Sequence, residues 1–200
     1  MTHPAAALPV ARRTRPTLLA AVAGTALLGV LGFPSSAGLS SSPASSASSA
    51  DGVVVPDAVT VDDDKHPAVA KLDPALLAAL RRAAADAASD GVVLYVNSGW
   101  RSPAYQEKLL DAAVAEYGSR EEAARWVATP TTSAHVAGDA VDIGRAEATP
   151  WLAEHGAAYS LCQIYANEPW HYELRPDAVA SGCPDPYTDP TQDPRMQPSA

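Results

Sequence analysis

The first fifty residues read as an address followed by a tether, so the folded part must be built from the later part of the chain. Residues 1–16 hold Arg12, Arg13 and Arg15 and no acid, and Thr17 to Phe33 then runs 17 residues without a charge. A basic start leading into an apolar stretch reads as an export signal. Ser35, Ser36 and Ala37 supply small residues suited to cleavage after Ala37. The apolar stretch is long for a signal core and short of the about 20 residues of a membrane span, so an uncleaved tether through residues 17–33 is the alternative. Pro34 to Ala50 carries nine serines in 17 residues, a flexible tether with nothing to bury. Asp51 to Asp64 is acidic and valine-rich, either an edge strand at Val53–Val55 or a lead-in. The expected organisation is a signal or anchor over 1–37, a linker over 38–64, and one folded domain over 65–200. A domain of about 130 residues can bury a single real core.

Charge and cysteine usage narrow the classes of function. There are 14 Lys and Arg against 23 Asp and Glu, for a net charge of −9. A phosphate-tracking surface needs the opposite balance, so no nucleic-acid partner is expected. Two cysteines exclude a disulfide-dense miniprotein and a Cys-rich zinc module. Phe33 is the only phenylalanine, and all eleven Trp and Tyr lie between Tyr95 and Tyr187, which places the core and any cleft in that span.

Helix and strand signals divide the domain. Asp73-Pro74 is an N-cap with a first-turn proline, and Leu76, Leu77, Leu80, Ala84 and Ala87 recur at helical spacing up to Gly91. Val92 to Asn97 reads as a buried strand. Ser102-Pro103 opens a second helix to Tyr117, closed by Gly118, and Ser119 with Glu122 forms a capping box for a shorter helix to about Val127. Thr129 to Gly138 reads as a loop, Asp139 to Ile143 as a strand, and Thr149 to Gly156 as a short helix. Leu161–Tyr165 and Trp170–Leu174 read as a hairpin across Asn167–Pro169. The proline-rich tail from Pro176 to Ala200 is expected to wrap the surface without an element of its own. Helices first and strands late favour an α+β fold, a small antiparallel sheet flanked by helices.

Two clusters carry chemistry. The first is Ser133-Ala-His-Val-Ala-Gly-Asp-Ala-Val-Asp142. Fully extended, seven residues separate His135 from Asp142 by roughly 23 Å. Two ligands of one zinc lie within about 3–4 Å of each other, and Gly138 supplies the reversal this needs. The second is Glu168-Pro-Trp-His-Tyr-Glu173. Pro169 excludes a continuous helix and pushes Glu168 toward extended backbone. His171 then sits in a strand with Glu173 on the same side, and Trp170 and Tyr172 on the reverse face. Two His and one Asp leave the fourth position of a tetrahedral zinc open for water, and Glu168 is a carboxylate able to deprotonate it. Glu173 is placed to orient the His171 ring. Surface acids with two hydrogen-bonded histidines are the alternative. A third element, Ser98-Gly-Trp-Arg-Ser-Pro-Ala-Tyr-Gln106, sets Arg101 just before a helix N-terminus, where the dipole disfavours a cation. An anion should compensate: a substrate carboxylate, a developing oxyanion, or an acid of this chain. His3 leaves with the signal, His66 precedes Pro67, and His155 ends a helix; none of these asks for a functional role.

SGWRSPAYQ, SAHVAGDAVD and EPWHYE together resemble the VanY-type D-alanyl-D-alanine carboxypeptidases, zinc peptidases of bacterial cell-wall peptides. Their relatives are D-Ala-D-Ala dipeptidases and the hedgehog amino-terminal domain. The resemblance spans roughly Leu72 to Met196. It implies a small α+β zinc domain, with one zinc per chain on His135, Asp142 and His171, and Glu168 as general base. It also implies that Arg101 meets the scissile end of the substrate, while Gln106 and Ser133 bind its polar groups. Ser160 stands where glycine is expected, which bears on local backbone geometry. Cys162 and Cys183 lie outside both histidine clusters, and an exported protein meets an oxidising environment, so a disulfide is expected rather than metal ligation. The implied activity is removal of the terminal D-alanine from peptidoglycan stem peptides by a monomer, secreted or associated with the cell envelope. A D,D-dipeptidase, a wall endopeptidase and a non-catalytic zinc-stabilised binding module are the alternatives.

Overall fold

Asp73 begins the longest helix among the described residues by accepting the amide protons of Ala75 and Leu76, with Pro74 in the first turn. The computed structural model describes residues 47–196; the expected signal, the anchor at 17–33 and the first part of the linker lie outside them. A one-turn helix α1 (Pro67–Ala70) precedes the long α2 (Pro74–Ser89). Then come β1 (Tyr95–Ser98), α3 (Pro103–Tyr117), α4 (Arg120–Ala123) and α5 (Ala134–Ala137). The chain continues through β2 (Ala140–Gly144), α6 (Ala148–His155), β3 (Leu161–Gln163), β4 (His171–Leu174) and α7 (Ala178–Ser181). The four strands form one sheet in the order β1-β2-β4-β3, with every neighbouring pair antiparallel. This is the expected α+β architecture.

Alternation along the central strands splits the sheet into a core face and a polar face. Val141 and Ile143 of β2 and Tyr172 of β4 join Leu76, Ala79, Leu80 and Ala83 of α2 and Leu152 of α6 in the main apolar cluster. Burying a leucine such as Leu76 or Leu80 contributes about 1.5–3 kcal/mol. The intervening residues, Ala140 and Asp142 on β2 and His171 and Glu173 on β4, point the other way. Register sets them side by side: Asp142 lies opposite His171, and Ala140 opposite Glu173.

Several boundaries differ from the sequence expectations. Residues 51–64 are part of the fold rather than a linker, because Val59 and Val61 are buried in the main cluster and Thr60 bridges to Tyr95. Asp51 also accepts a hydrogen bond from the Ser102 hydroxyl at the start of α3. The first strand starts at Tyr95, not Val92, since Val92 still bonds back to Ala87 at the end of α2. The expected loop at 129–138 contains α5, capped by Ser133 and closed by Gly138 in the left-handed region (φ 87°). A Cβ on Gly138 would meet the Lys71 carbonyl at 2.5 Å. Ser160 takes the left-handed conformation (φ 64°) that glycine would adopt more easily. The tail does form elements: α7, and 3₁₀ turns at Pro190–Gln192 and Pro194–Met196. Cys162 and Cys183 are joined by a disulfide, with Cα atoms 5.5 Å apart.

Candidate metal centre and cleft

His135 projects from α5, and Asp142 and His171 from adjacent strands; all three side chains are buried. His135 Nε2 lies 3.2 Å from His171 Nδ1. Asp142 Oδ1 is 3.3 Å from the first nitrogen and 3.2 Å from the second. Ligand atoms about 2.1 Å from a shared centre at tetrahedral angles sit about 3.4 Å apart, so this spacing suits one zinc-sized ion.

The hydrogen bonds behind the rings assign their tautomers. His135 Nδ1 is 2.8 Å from the Gly99 carbonyl, which can only accept, so the proton belongs on Nδ1 and the Nε2 lone pair faces the cluster. His171 Nε2 is 3.2 Å from Glu173 Oε1, which places its proton on Nε2 and frees Nδ1. Two imidazole nitrogens and a carboxylate converge with their second nitrogens or neighbours anchored, the donor set and support that zinc sites use. The residues present therefore fit the metal. Gly99 can hold this post because its backbone passes against α1: a Cβ there would lie 2.0 Å from the Ala68 carbonyl.

Electrostatics reflect the same contacts. Burial and the Arg101 cation hold His135 below its ordinary pKa. Burial also pulls His171 down, but its hydrogen bonds and attraction to Asp142 and Glu173 outweigh this and raise it to about 9. Burial works against ionised Asp142, yet His135, His171 and Arg101 hold it well below the usual carboxylate range.

Glu168 stands just before β4, its Oε2 3.8 Å from His171 Nδ1. Burial, with Asp142 nearby adding to it, pushes this carboxyl up to about 7 despite the opposing pull of His171 and Arg101. Arg101 is held from three sides: Nε donates to Ser98 Oγ, Nη1 to Gln106 Oε1, and Nη2 to Asp142 Oδ2 at 2.8 Å. The anion that compensates it in this structure is Asp142. Gln106 is buried and gives its amide proton to the Ala128 carbonyl, so it braces Arg101 as well as lining the cleft. Ser133 caps α5 and lines the same cleft.

The cleft has a volume of about 360 Å³. It is bordered by all seven residues given a ligand, base or substrate-binding role from the sequence, Arg101, Gln106, Ser133, His135, Asp142, Glu168 and His171, while Glu173 stays behind it. Its outer wall is aromatic: Tyr117 and Trp126 stack with centroids 6.0 Å apart, both partly exposed. Alternation from the sequence puts Trp170 on the reverse face with Tyr172; in the structure it lies outside the strand, 40% exposed, and borders the cleft. Sequence reasoning missed Tyr165, whose ring lies 5.0 Å from that of His171. It also missed Arg195, which reaches Glu173 from the tail. A signal existed for Arg195: it is the only cation between Pro176 and Ala200, among four aspartates.

Comparison with known proteins agrees with this geometry. The family model VanY, D-alanyl-D-alanine carboxypeptidase, matches residues 69–177, which contain the three candidate ligands and Glu168. A D-alanyl-D-alanine carboxypeptidase of Enterococcus faecalis is 35% identical over 111 residues, covering 43% of this chain and 41% of the relative. The chain thus matches under half the length of that relative. Among solved structures, VanYB in complex with D-alanine-D-alanine is similar with a TM-score of 0.51 and 29% identity, over 56% of this chain and 74% of that one. A variant of the vancomycin-resistance D,D-pentapeptidase VanY in complex with Zn(II) is 31% identical over 52% of this chain and 72% of that one, with a TM-score of 0.48. More than half of the residues fall within the family match, and they include the whole His–Asp–His cluster: this chain belongs to the VanY D-alanyl-D-alanine carboxypeptidase family.

Proposed function

We propose that the chain is a zinc-dependent D,D-carboxypeptidase that removes the terminal D-alanine from peptidoglycan stem peptides. The observation that carries this reading is the convergence of His135 Nε2, Asp142 Oδ1 and His171 Nδ1 beside the buried carboxyl of Glu168, 3.8 Å from His171 Nδ1. The similarity to VanYB bound to D-alanine-D-alanine supports the choice of substrate. Family membership supports work on the cell wall, outside the cytoplasm or in the envelope. Among the described residues no helix is long and apolar enough to cross a membrane, so a tether, if used, rests on residues 17–33. One zinc per chain and a monomeric enzyme complete the proposal.

His135, Asp142 and His171 would hold the ion. Zinc, when bound, supplies Lewis-acid polarisation of the scissile carbonyl and of the attacking water. Glu168 borders the ligand cluster, where its carboxylate takes the proton of that water and passes it to the leaving amine. A buried carboxyl beside the cluster can perform both transfers. Arg101, fixed by Ser98, Gln106 and Asp142, presents a stationary cation to the substrate carboxylate or to the developing oxyanion. Its ordering cost is met in the folded protein, before substrate arrives. Ser133 and Gln106 add polar contacts from either side of the cleft.

Incubating the purified zinc-loaded protein with a free pentapeptide stem, and weighing the products, tests the reading. Loss of a single alanine is expected. Release of a dipeptide would make the chain a D,D-dipeptidase, and cleavage of cross-linked stems alone a wall endopeptidase. An unchanged peptide in the presence of bound zinc would leave a binding module.

A further inference from the structure

We propose that Arg195 is a positioning residue for His171: it grips the Glu173 carboxylate from the C-terminal tail, fixes the hydrogen bond from His171 Nε2, and thereby aims Nδ1 into the ligand cluster. The role depends on the zinc site proposed for this chain. It falls to a residue outside the span 69–177 that matches the family.

Glu173 is 1% exposed and sits on β4 two residues beyond His171, on the same face. A buried carboxylate without a partner is costly, so something must neutralise it. Arg195 does so with both ends of its fork: Nη1 donates to Oε2 at 2.6 Å and Nη2 to Oε1 at 3.2 Å. Oε1 is also the oxygen that accepts from His171 Nε2. Arg175 contributes a second cation, but it meets Oε2 alone, at 3.0 Å. Two parallel bonds fix the plane of a carboxylate, which a single point contact does not. The orientation of the oxygen behind His171 is therefore set chiefly by Arg195.

Arg195 is itself fixed. Its Nε donates to both oxygens of Asp193, each at 3.0 Å, and Asp193 is fully buried. Asp193 accepts from the Tyr165 hydroxyl at 3.0 Å, and the Tyr165 ring lies against His171. The contacts close a ring, from His171 through Glu173, Arg195, Asp193 and Tyr165 back to His171. One turn of the tail thus braces the imidazole at its edge nitrogen and at its ring. The tail is anchored separately, by the Cys162–Cys183 disulfide and by Arg125 Nε on the buried Asp189 at 3.0 Å. That separation allows the positioning role to be isolated from simple retention of the tail.

The test compares Arg195→Met, Arg195→Lys and Arg125→Met in the full chain, measuring zinc affinity by chelator competition and the absorption spectrum of the Co(II)-substituted protein. Removing a partner behind a metal ligand typically weakens binding by about 10–100-fold, and Arg195→Met should show that loss with a changed Co(II) spectrum. Arg195→Lys, which keeps the charge but loses the fork, should show a smaller loss in the same direction. Arg125→Met loosens the tail without touching Glu173 and should leave zinc affinity and spectrum unchanged. Wild-type affinity in a folded Arg195→Met protein overturns the proposal. So does an equal loss in Arg125→Met, which would make the effect one of tail retention. If Arg195→Met does not fold, Arg195→Lys decides: weakened zinc supports the role and wild-type zinc refutes it. A wild-type chain that binds no zinc overturns the metal reading itself, and this proposal with it.

Discussion

Replacing Glu168 by glutamine should make the metal-free protein more stable and the zinc-loaded enzyme much slower. The carboxyl is 8% exposed, and burial lifts it from an ordinary value of 4.5 to about 7. The folded state therefore holds this proton more tightly than the unfolded chain does. Its contribution to stability is fully present below pH 4.5 and is lost as pH rises through 7. Linkage gives a cost of about 1 kcal/mol at pH 5 and about 3 kcal/mol at pH 8, where both states are ionised. Glutamine fills nearly the same volume and cannot ionise, so the variant escapes the cost.

The assay is urea unfolding of chelator-treated wild type and Glu168→Gln at pH 5 and pH 8. Fixed differences between the two side chains cancel in the change with pH, as do the titrations of groups remote from Glu168. The stability gap should widen in favour of the variant by about 2 kcal/mol between the two pH values. With zinc restored, turnover of a pentapeptide stem should fall by at least about 10²-fold, the loss expected for a missing general base. A gap that stays constant with pH would show that burial does not strain this carboxyl. Near-normal turnover would show that Glu168 is not the general base; Glu173, buried behind His171 and gripped by Arg195, does not reach the cleft to replace it.

The ligand assignment predicts that His171→Ala, purified with zinc in excess and then dialysed, loses most of its metal by elemental analysis; a full equivalent retained would contradict it. If Arg101 reads the terminal carboxylate, amidating the C-terminus of a pentapeptide stem should cost roughly 2–5 kcal/mol of transition-state stabilisation. That is a drop in kcat/KM of about 30-fold to several thousand-fold. Arg101→Ala should lose a similar factor on the free acid and little more on the amide, whereas equal cleavage of acid and amide would favour an endopeptidase. Replacing Cys162 and Cys183 by serine, which opens a loop of sequence separation 21, should lower unfolding stability by about 3 kcal/mol; an unchanged denaturation midpoint would show that the bridge adds nothing.

What can be read from the sequence divides along a physical line. Asp73-Pro74, Ser102-Pro103 and Ser119 announce their helices because capping is local: the side chain satisfies amides two or three residues away. His171 and Glu173 fall on one face of β4, and Asp142 away from the core on β2, because strand alternation is also local. The failures share the opposite property. Val59 and Val61 look like part of an acidic linker until Tyr95 and α2 provide the surface that buries them. Trp170 sits one residue before a strand, where alternation has not begun and the cleft offers an apolar wall. Arg195 acquires its meaning only when the tail returns to Glu173, across 22 residues whose own pattern specifies no element. The same division runs through the site. Asp142 and His171 lie on strands that the sequence specifies locally, while His135 lies on a one-turn helix that reads as loop. The groups that orient the rings, the Gly99 carbonyl behind His135 and Arg195 beyond Glu173, arrive through tertiary contact. A motif can therefore reveal which atoms would meet a metal. How those atoms are held depends on contacts that the motifs do not specify, some made by motif residues such as Gly99 and Glu173 and one by Arg195, far along the tail.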